Sequence, residues 1–424
     1  MTGKDFIALT DSTKVDAGSV GHLSLSYHFA SPANVPETGV EVMLPHDEKV
    51  GESHSLECVK LPSVWPRIPN TSFGIPMGLA GHAMMWKAAG NAEFINDKVD
   101  VEQISAVFWI ASLLLGTVFL AAYCVKAYRF FPLVMDEFRD GARMHFLNMP
   151  HLIVLMLTIS VPDDSSHFAI MPGNCELFRS IVFGISVLIQ LGLTQYIGER
   201  WLFSNNEQTD CGPPFLISLV AWFLLAVLGT QADIEQQWGI ALPSFCFGVG
   251  TIMYFVSSYV IFKGMQPEVR GSPSLFLIIT PPSIAMVGWD MITSNPGKFA
   301  ILSKLLLGCC LVFFLFLVRI GQQLASPPPS LGFYWAYVFP VSALATGTIR
   351  YAAREPSTTT GILACTFITI ATVVLLIVIS RMCLHTHQVL VGKDHWGDPL
   401  LTQESIAFIR LHARRKEAER LDHV

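Results

Sequence analysis

Residues 331–350 read LGFYWAYVFPVSALATGTIR, and residues 359–384 read TTGILACTFITIATVVLLIVISRMCL. Each segment is apolar over about 20 residues, the length of α-helix that crosses a hydrocarbon core of roughly 30 Å. The first segment carries Pro340 in its interior, whereas the second contains no proline. An interior proline removes a helix hydrogen bond, and in lipid the freed carbonyl needs a neighbouring helix or a water-filled cavity. The pair therefore predicts a kinked inner helix followed by a straight outer helix.

The composition of the whole chain agrees with a membrane protein. Of its 424 residues, 52% are hydrophobic and only 14% are charged, whereas soluble domains average about 25% charged residues. Apolar segments long enough to cross a membrane recur along the chain and predict ten transmembrane helices. These segments cover residues 72–91, 103–127, 144–162, 176–197, 213–230, 239–263, 274–293, 299–323, 331–350 and 359–384.

Prolines distinguish the odd-numbered segments from the even-numbered ones. The odd segments carry proline in their apolar run, at Pro76, Pro150, Pro281, Pro282 and Pro340, although the fifth has only Pro213 and Pro214 at its start. Each step from one odd segment to the next has the length of a helical hairpin, which indicates a fivefold pseudo-repeat. The predicted fold is an all-α membrane protein, with ten transmembrane helices as five helical hairpins and an inner ring of five kinked helices around a pore.

The segments outside the helices predict the domain limits and the orientation. Residues 1–70 are polar and rich in Ser, Pro and acidic residues, which predicts a disordered cytoplasmic tail. Residues 71–385 form the predicted ten-helix transmembrane domain, and residues 386–424 form a basic C-terminal tail. Lys and Arg are more frequent in one set of loops than in the other, so both termini are predicted to be cytoplasmic. The net charge of −6 gives no indication of a nucleic-acid partner.

Charged residues are almost absent from the middle of the predicted helices. Lys87, Arg179, Asp290 and Lys304 lie near segment ends, where they are expected to face the membrane interface. No ladder of acidic or basic residues suggests a proton relay or a voltage sensor. HExxH, CxxC, GxSxG and Walker motifs are absent too, so we predict no catalytic residue, no metal, no cofactor and no enzyme activity.

Small and hydroxyl-bearing residues of the odd segments are the candidates for lining a pore without fixed charge. The alternative is that small residues let helices pack closely in lipid. Phe339, directly before Pro340, is the candidate gate, because a bulky aromatic on a kinked inner helix can occlude a narrow pore; the alternative is that it faces lipid or a neighbouring helix. The candidate pore-lining residues are Gly74, Gly78, Pro150, Thr280, Pro281, Ser283, Pro340 and Ser342.

Several short motifs occur in the order found in a known family. The chain resembles the slow-type anion channel family of plants and, more distantly, the bacterial tellurite-resistance and dicarboxylate transporters of the same fold. The resemblance runs from about residue 67 to 385. It is carried by Trp335-Ala-Tyr-Val-Phe339-Pro340 and Ala345-Thr-Gly-Thr-Ile-Arg350-Tyr351, by Phe73-Gly74-Ile75, by Arg143, Phe146 and Pro150, by Thr280-Pro281 with Ser283, and by Leu317-Val318-Arg319-Ile320.

The resemblance implies ten helices around a central pore, with one pore in each protomer of a homotrimer. It implies that Phe339 occludes this pore, since the phenylalanine of the Phe-Pro motif does so in the family. Family members pass chloride, nitrate or malate, so small anions are the expected partners beside the lipid bilayer. A regulatory kinase is a further expected partner, because plant members are controlled by phosphorylation of cytoplasmic tails. The plasma membrane is the expected location.

One segment departs from the family, and one functional alternative stays open. The fifth segment reads Ser218-Leu-Val-Ala-Trp222-Phe-Leu-Leu, whereas relatives are rich there in Gly, Ser and Asn. Trp222 and the two leucines after it, on a pore helix, are therefore expected to narrow the path or to change its polarity. The alternative to a passive channel is a proton-coupled carrier of malate, sulfite or another small acid, with His82, His145 or His151 involved.

Overall fold

The structure is a computed structural model that describes residues 70–92, 95, 100–139, 143–162, 175–203, 212–232, 238–264, 273–293, 298–324 and 334–390. The secondary structure of this described part is entirely helical, which confirms the predicted all-α class. The two predicted tails, residues 1–70 and 386–424, lie outside the described part except for residues 70 and 386–390.

The described residues form eleven α-helices, α1 to α11 in chain order, and three 3-10 helices. The 3-10 helices Asn70–Phe73, Arg143–Asn148 and Pro273–Ile279 directly precede α1, α4 and α8. The α-helices are Gly74–Gly90, Val101–Arg129, Phe131–Arg139, Met149–Ile159, Cys175–Phe203, Phe215–Gly229, Ala241–Gly264, Thr280–Thr293, Ile301–Leu324, Trp335–Arg354 and Thr358–Leu390.

In the described part of the chain, six segments are long and apolar enough to cross a membrane, and a seventh is added if α3 and Arg143–Ile159 form one broken span. The six comprise α2, α5, α7, α9, α11 and the segment Ser274–Thr293, which contains α8. The chain is therefore a multi-pass membrane protein. The remaining helices on predicted spans are α1 with 17 residues, α4 with 11, α6 with 15 and α10 with 20.

Burial separates the helices into two classes. In the most apolar stretch of Ser274–Thr293, 89% of the residues are buried, against 17–28% in the other five spanning helices. Every residue of α6 is buried, and so are most residues of α1, α4 and α10. We call α1, α4, α6, α8 and α10 the inner helices, and α2, α5, α7, α9 and α11 the outer helices. A helix enclosed by protein needs no lipid-facing side chains, so it can be shorter or more polar than a lipid-exposed one.

The contacts between inner helices close on themselves. In the order α1, α4, α6, α8, α10, each inner helix contacts the next, and α10 contacts α1. Each inner helix also contacts the outer helix that follows it in the chain. The inner helices run in the same direction, because each contact joins residues near the same helix end. These contacts are Asn70 with Arg143, His145 with Ser218, Val227 with Gly288, Asp290 with Arg350, and Gly78 with Trp335.

Most of the prolines occupy other helix positions than predicted. Pro340 is the only proline that lies well inside an inner α-helix of the described part. Pro76, Pro150 and Pro281 stand in the first turns of α1, α4 and α8, each directly after a 3-10 helix. A first-turn N–H has no partner within the helix, so proline costs little there. The expected kink in the middle of every inner helix is therefore corrected to an interior proline in α10 alone.

Candidate functional site

Phe339 lies in the second turn of α10, enclosed by three inner helices, and 1% of its surface is exposed. A Cβ atom at Gly81 of α1 would lie 3.1 Å from Phe339 Cδ2 and 2.6 Å from Ser342 Oγ. The same point is 3.5 Å from Cε of Met156 in α4. We call Gly81, Met156, Phe339 and Ser342 the Phe339 cluster. In this cluster, glycine lets α1 approach α10 so closely that ring, thioether and hydroxyl fill the space between three helices.

Two hydroxyl groups that follow Phe339 on α10 bond to the backbone of the same helix. Ser342 Oγ donates to the Phe339 carbonyl at 2.9 Å, and Thr346 Oγ1 donates to the Ser342 carbonyl at 2.9 Å. These hydroxyls use their protons within the helix, so their lone pairs rather than their O–H groups face outward. Thr280 at the start of α8 differs, because its buried Oγ1 has no hydrogen-bond partner in the described part of the chain. Thr280 therefore keeps an O–H donor that an anion can use.

The predicted pore-lining residues do not all have the same surroundings. Ser342 lies in the Phe339 cluster, whereas Gly78 packs against α10, since a Cβ there would be 2.5 Å from Trp335 Cε3. Ser283 Oγ lies 3.4 Å from Cys310 Sγ of α9, so its hydroxyl contacts an outer helix rather than α10. Of the remaining predicted residues, Gly74, Pro150, Thr280 and Pro281 lie at the starts of their helices, and Pro340 lies in the second turn of α10. All of them are buried except Pro150, which is half-buried.

Gly81→Ala is expected to destabilise the protein by about 1–3 kcal/mol, because the added methyl group overpacks the contact with Ser342 and Phe339. The change should lower the midpoint of thermal unfolding of the purified protein in detergent. Ser342→Ala removes the atom that the methyl group meets first, so the double variant should recover most of the loss. The matched control is Gly192→Ala on α5, where no atom lies within 4 Å of the added Cβ. A loss in the control equal to that of Gly81→Ala would contradict this account.

Trp222 does not point toward the other inner helices. Its Nε1 donates to Thr194 Oγ1 of α5 at 3.0 Å. Its Cβ lies 3.1 Å from the place where a Cβ at Gly250 of α7 would stand. Both contacts are with outer helices, so the expected narrowing of the path by Trp222 is corrected. The side chain packs α6 against α5 and α7 instead.

Buried histidines form a polar network between α4, α5 and α6. His145 Nδ1 lies 3.2 Å from Ser218 Oγ, and His151 Nδ1 lies 3.3 Å from Asn148 Oδ1. Gln190 of α5 donates from Nε2 to the Ser218 carbonyl at 2.8 Å. His82 lies elsewhere, with its ring nitrogens 3.1 Å from the Gly78 carbonyl and 3.3 Å from the carbonyl of Ala371 in α11. Two of the three predicted histidines are thus brought together.

Comparison with known proteins identifies similar sequences over most of the chain. The model of the voltage-dependent anion channel family matches residues 67–383. S-type anion channel SLAH2 of Arabidopsis thaliana is 26% identical over 330 residues, which cover 76% of this chain and 60% of the relative. S-type anion channel SLAH3 of the same plant is 27% identical over 362 residues, which cover 81% and 51%.

A bacterial protein is similar over a comparable length. The tellurite resistance protein TehA homolog of Haemophilus influenzae is 22% identical over 294 residues, which cover 67% of this chain and 81% of the relative. The chain thus spans about half to three fifths of these two plant channels and most of the bacterial protein. The shared part is the helical region, in which the Phe339 cluster lies.

Proposed function

Because this chain belongs to the voltage-dependent anion channel family, we propose that it conducts small anions of the chloride, nitrate or malate class across a membrane. The path runs between the five inner helices, and Phe339 is its gate. The observation that carries the proposal is the closed order of inner-helix contacts, with the buried ring of Phe339 between α1, α4 and α10.

The electrostatics of the inner helices suit an anion. All five run in the same direction, so their N-terminal ends lie together at one end of the bundle, where the helix dipoles place partial positive charge. The middle of the inner helices carries no Asp, Glu, Lys or Arg, which lets an anion pass without being held by a fixed charge. Thr280 near that end supplies a buried hydroxyl donor, and the Phe339 ring supplies an apolar constriction that excludes water.

The full architecture is part of the same proposal. Ten helices cross the membrane as five hairpins, and the 3-10 helices before α1, α4 and α8 lengthen these short inner helices. Both termini are cytoplasmic, in agreement with the distribution of Lys and Arg. The family resemblance supports a homotrimer in the plasma membrane with one pore per protomer, and a regulatory kinase that acts on the tails.

Voltage-clamp recording of cells that express the protein tests this function. We expect a current whose reversal potential follows the equilibrium potential of chloride, nitrate or malate when the external concentration of that anion is changed. Untransfected cells and cells expressing an unrelated multi-pass protein serve as controls. Surface-expressed protein without current in any of the three anions contradicts the channel function.

A proton-coupled carrier of a small acid is the second candidate. The buried pair of His145 and His151 favours it, because both lie at the start of an inner helix and His151 Nε2 has no hydrogen-bond partner in the described part. A carrier predicts saturable uptake that depends on the proton gradient and is lost in His151→Gln. A passive current that is unaffected by the proton gradient decides for the channel.

A further inference from the structure

A charged cluster lies at the end of the bundle where the inner helices finish. Asp290, near the end of α8, is 1% exposed. Its Oδ2 accepts from Arg350 Nη2 at 3.2 Å and lies 3.5 Å from Arg354 Nε, both on α10. The arginine side chains are 22% and 31% exposed, so solvent reaches them. One carboxylate oxygen thus serves two guanidinium groups.

The ion pair leaves one donor unused. Arginine and carboxylate normally pair through two parallel hydrogen bonds. Here Arg350 Nε and Asp290 Oδ1 are both buried, and neither has a hydrogen-bond partner in the described part of the chain. A buried N–H of a charged group that is left without an acceptor is unfavourable. The site therefore offers a strong donor to a ligand that can accept a hydrogen bond.

The neighbouring charged residues do not cancel the net positive charge of the cluster. Lys304 and Glu355 lie close by and pair with each other at 2.6 Å, and the Phe299 N–H also donates to Glu355. The hydrogen bond from Lys304 holds the pKa of the Glu355 carboxyl below its ordinary value, so this neighbouring pair stays ionised and neutral overall. Two arginines against Asp290 leave one positive charge. This charge offsets the partial negative charge of the inner-helix C-termini, which would otherwise repel anions.

The helical register connects Arg350 with the gate. Arg350 follows Phe339 by eleven residues, which is about three turns of α-helix, and Thr346 lies between them after about two turns. Phe339, Thr346 and Arg350 therefore share one face of α10. At about 1.5 Å per residue, the backbone of Arg350 lies roughly 16 Å along the helix axis from that of Phe339.

We propose that Arg350 and Arg354, held in place by Asp290, form an anion-binding site at the C-terminal end of the inner helices. The inference rests on the proposed function and names the place where the anion binds before or after it passes Phe339. The ligand class is a small monovalent anion, and a planar oxyanion such as nitrate fits the guanidinium edge better than chloride. Asp290 weakens the binding enough for release, which conduction requires.

Two substitutions with opposite effects test the site. Arg350→Lys keeps the charge but removes the Nε donor, so the nitrate concentration that gives half-maximal current should rise about fivefold, with a smaller change for chloride. Asp290→Asn removes the competing negative charge, so the same concentration should fall. The double variant Lys304→Gln/Glu355→Gln is the matched control, because it removes a neutral ion pair at the same end and should leave the value unchanged.

A second readout keeps the test independent of conduction. Nitrate should raise the thermal unfolding midpoint of the wild-type protein in detergent, and Arg350→Lys should abolish this shift. The double variant Arg350→Gln/Asp290→Asn leaves no buried charge unpaired, so it should fold and show no shift either. Nitrate dependence that is unchanged in Arg350→Lys, or changed equally in Lys304→Gln/Glu355→Gln, overturns the site. A wild-type protein with a nitrate shift but no current contradicts the proposed function and leaves the site supported.

Discussion

Phe339→Ala is expected to raise the basal anion current on the order of tenfold, because removing a ring that occludes a narrow path opens it to water and ions. The ring is 1% exposed and meets α1 at Gly81, where no side chain can replace it. Ser342 and Met156 border the space that the ring leaves. Voltage-clamp recording of wild type and variant at equal surface expression measures the effect.

The control for Phe339→Ala removes an equal ring elsewhere. Phe367 of α11 is 5% exposed, and its ring packs against Phe314 of α9 with centroids 5.2 Å apart, between two outer helices. Phe367→Ala removes the same ring from an outer helix, outside the Phe339 cluster, so its basal current should equal that of the wild type. A Phe339→Ala current no larger than the wild-type current contradicts the gate. Similar increases in both variants would indicate a general loosening of the helices instead.

Hydropathy alone located the helices well, because a lipid-exposed helix must be apolar along its whole length. The predicted segment 103–127 corresponds to α2, Val101–Arg129, and 359–384 corresponds to α11, Thr358–Leu390. The proline pattern also indicated which helices are buried, although Pro76, Pro150 and Pro281 mark helix starts. The short helix α3, Phe131–Arg139, is not predicted, because its nine residues are far fewer than a membrane crossing needs.

The side-chain partners could not be predicted, because they depend on contacts between residues far apart in the sequence. Asp290 was expected at the membrane interface, whereas the structure buries it against Arg350, 60 residues later in the chain. The close approach of Gly81 to Phe339 depends in the same way on α1 meeting α10. A single glycine in an apolar segment carries no signal that separates this contact from ordinary helix packing.

Lys126→Met is expected to destabilise the protein by roughly 3–5 kcal/mol, because it leaves the carboxylate of Glu137 buried without its counter-ion. Lys126 Nζ, in the last turn of α2, lies 2.6 Å from Glu137 Oε1 of α3, and their side chains are 0% and 2% exposed. Tyr123 donates to the other carboxylate oxygen at 2.9 Å. The pair therefore attaches α3 to the end of an outer helix. Thermal unfolding of purified protein in detergent measures the loss.

The double variant Lys126→Met/Glu137→Gln separates the ion pair from simple packing. It removes both charges and keeps the side-chain volumes, so most of the lost stability should return, since replacing a whole buried pair is often close to neutral. Arg129→Met is the matched control: it lies one turn later on α2, is exposed, and should change the unfolding midpoint little. If the double variant is no more stable than Lys126→Met, the unpaired carboxylate of Glu137 is not the cause of the loss. If it recovers, the unpaired carboxylate was the cause, and α3 is held by charge.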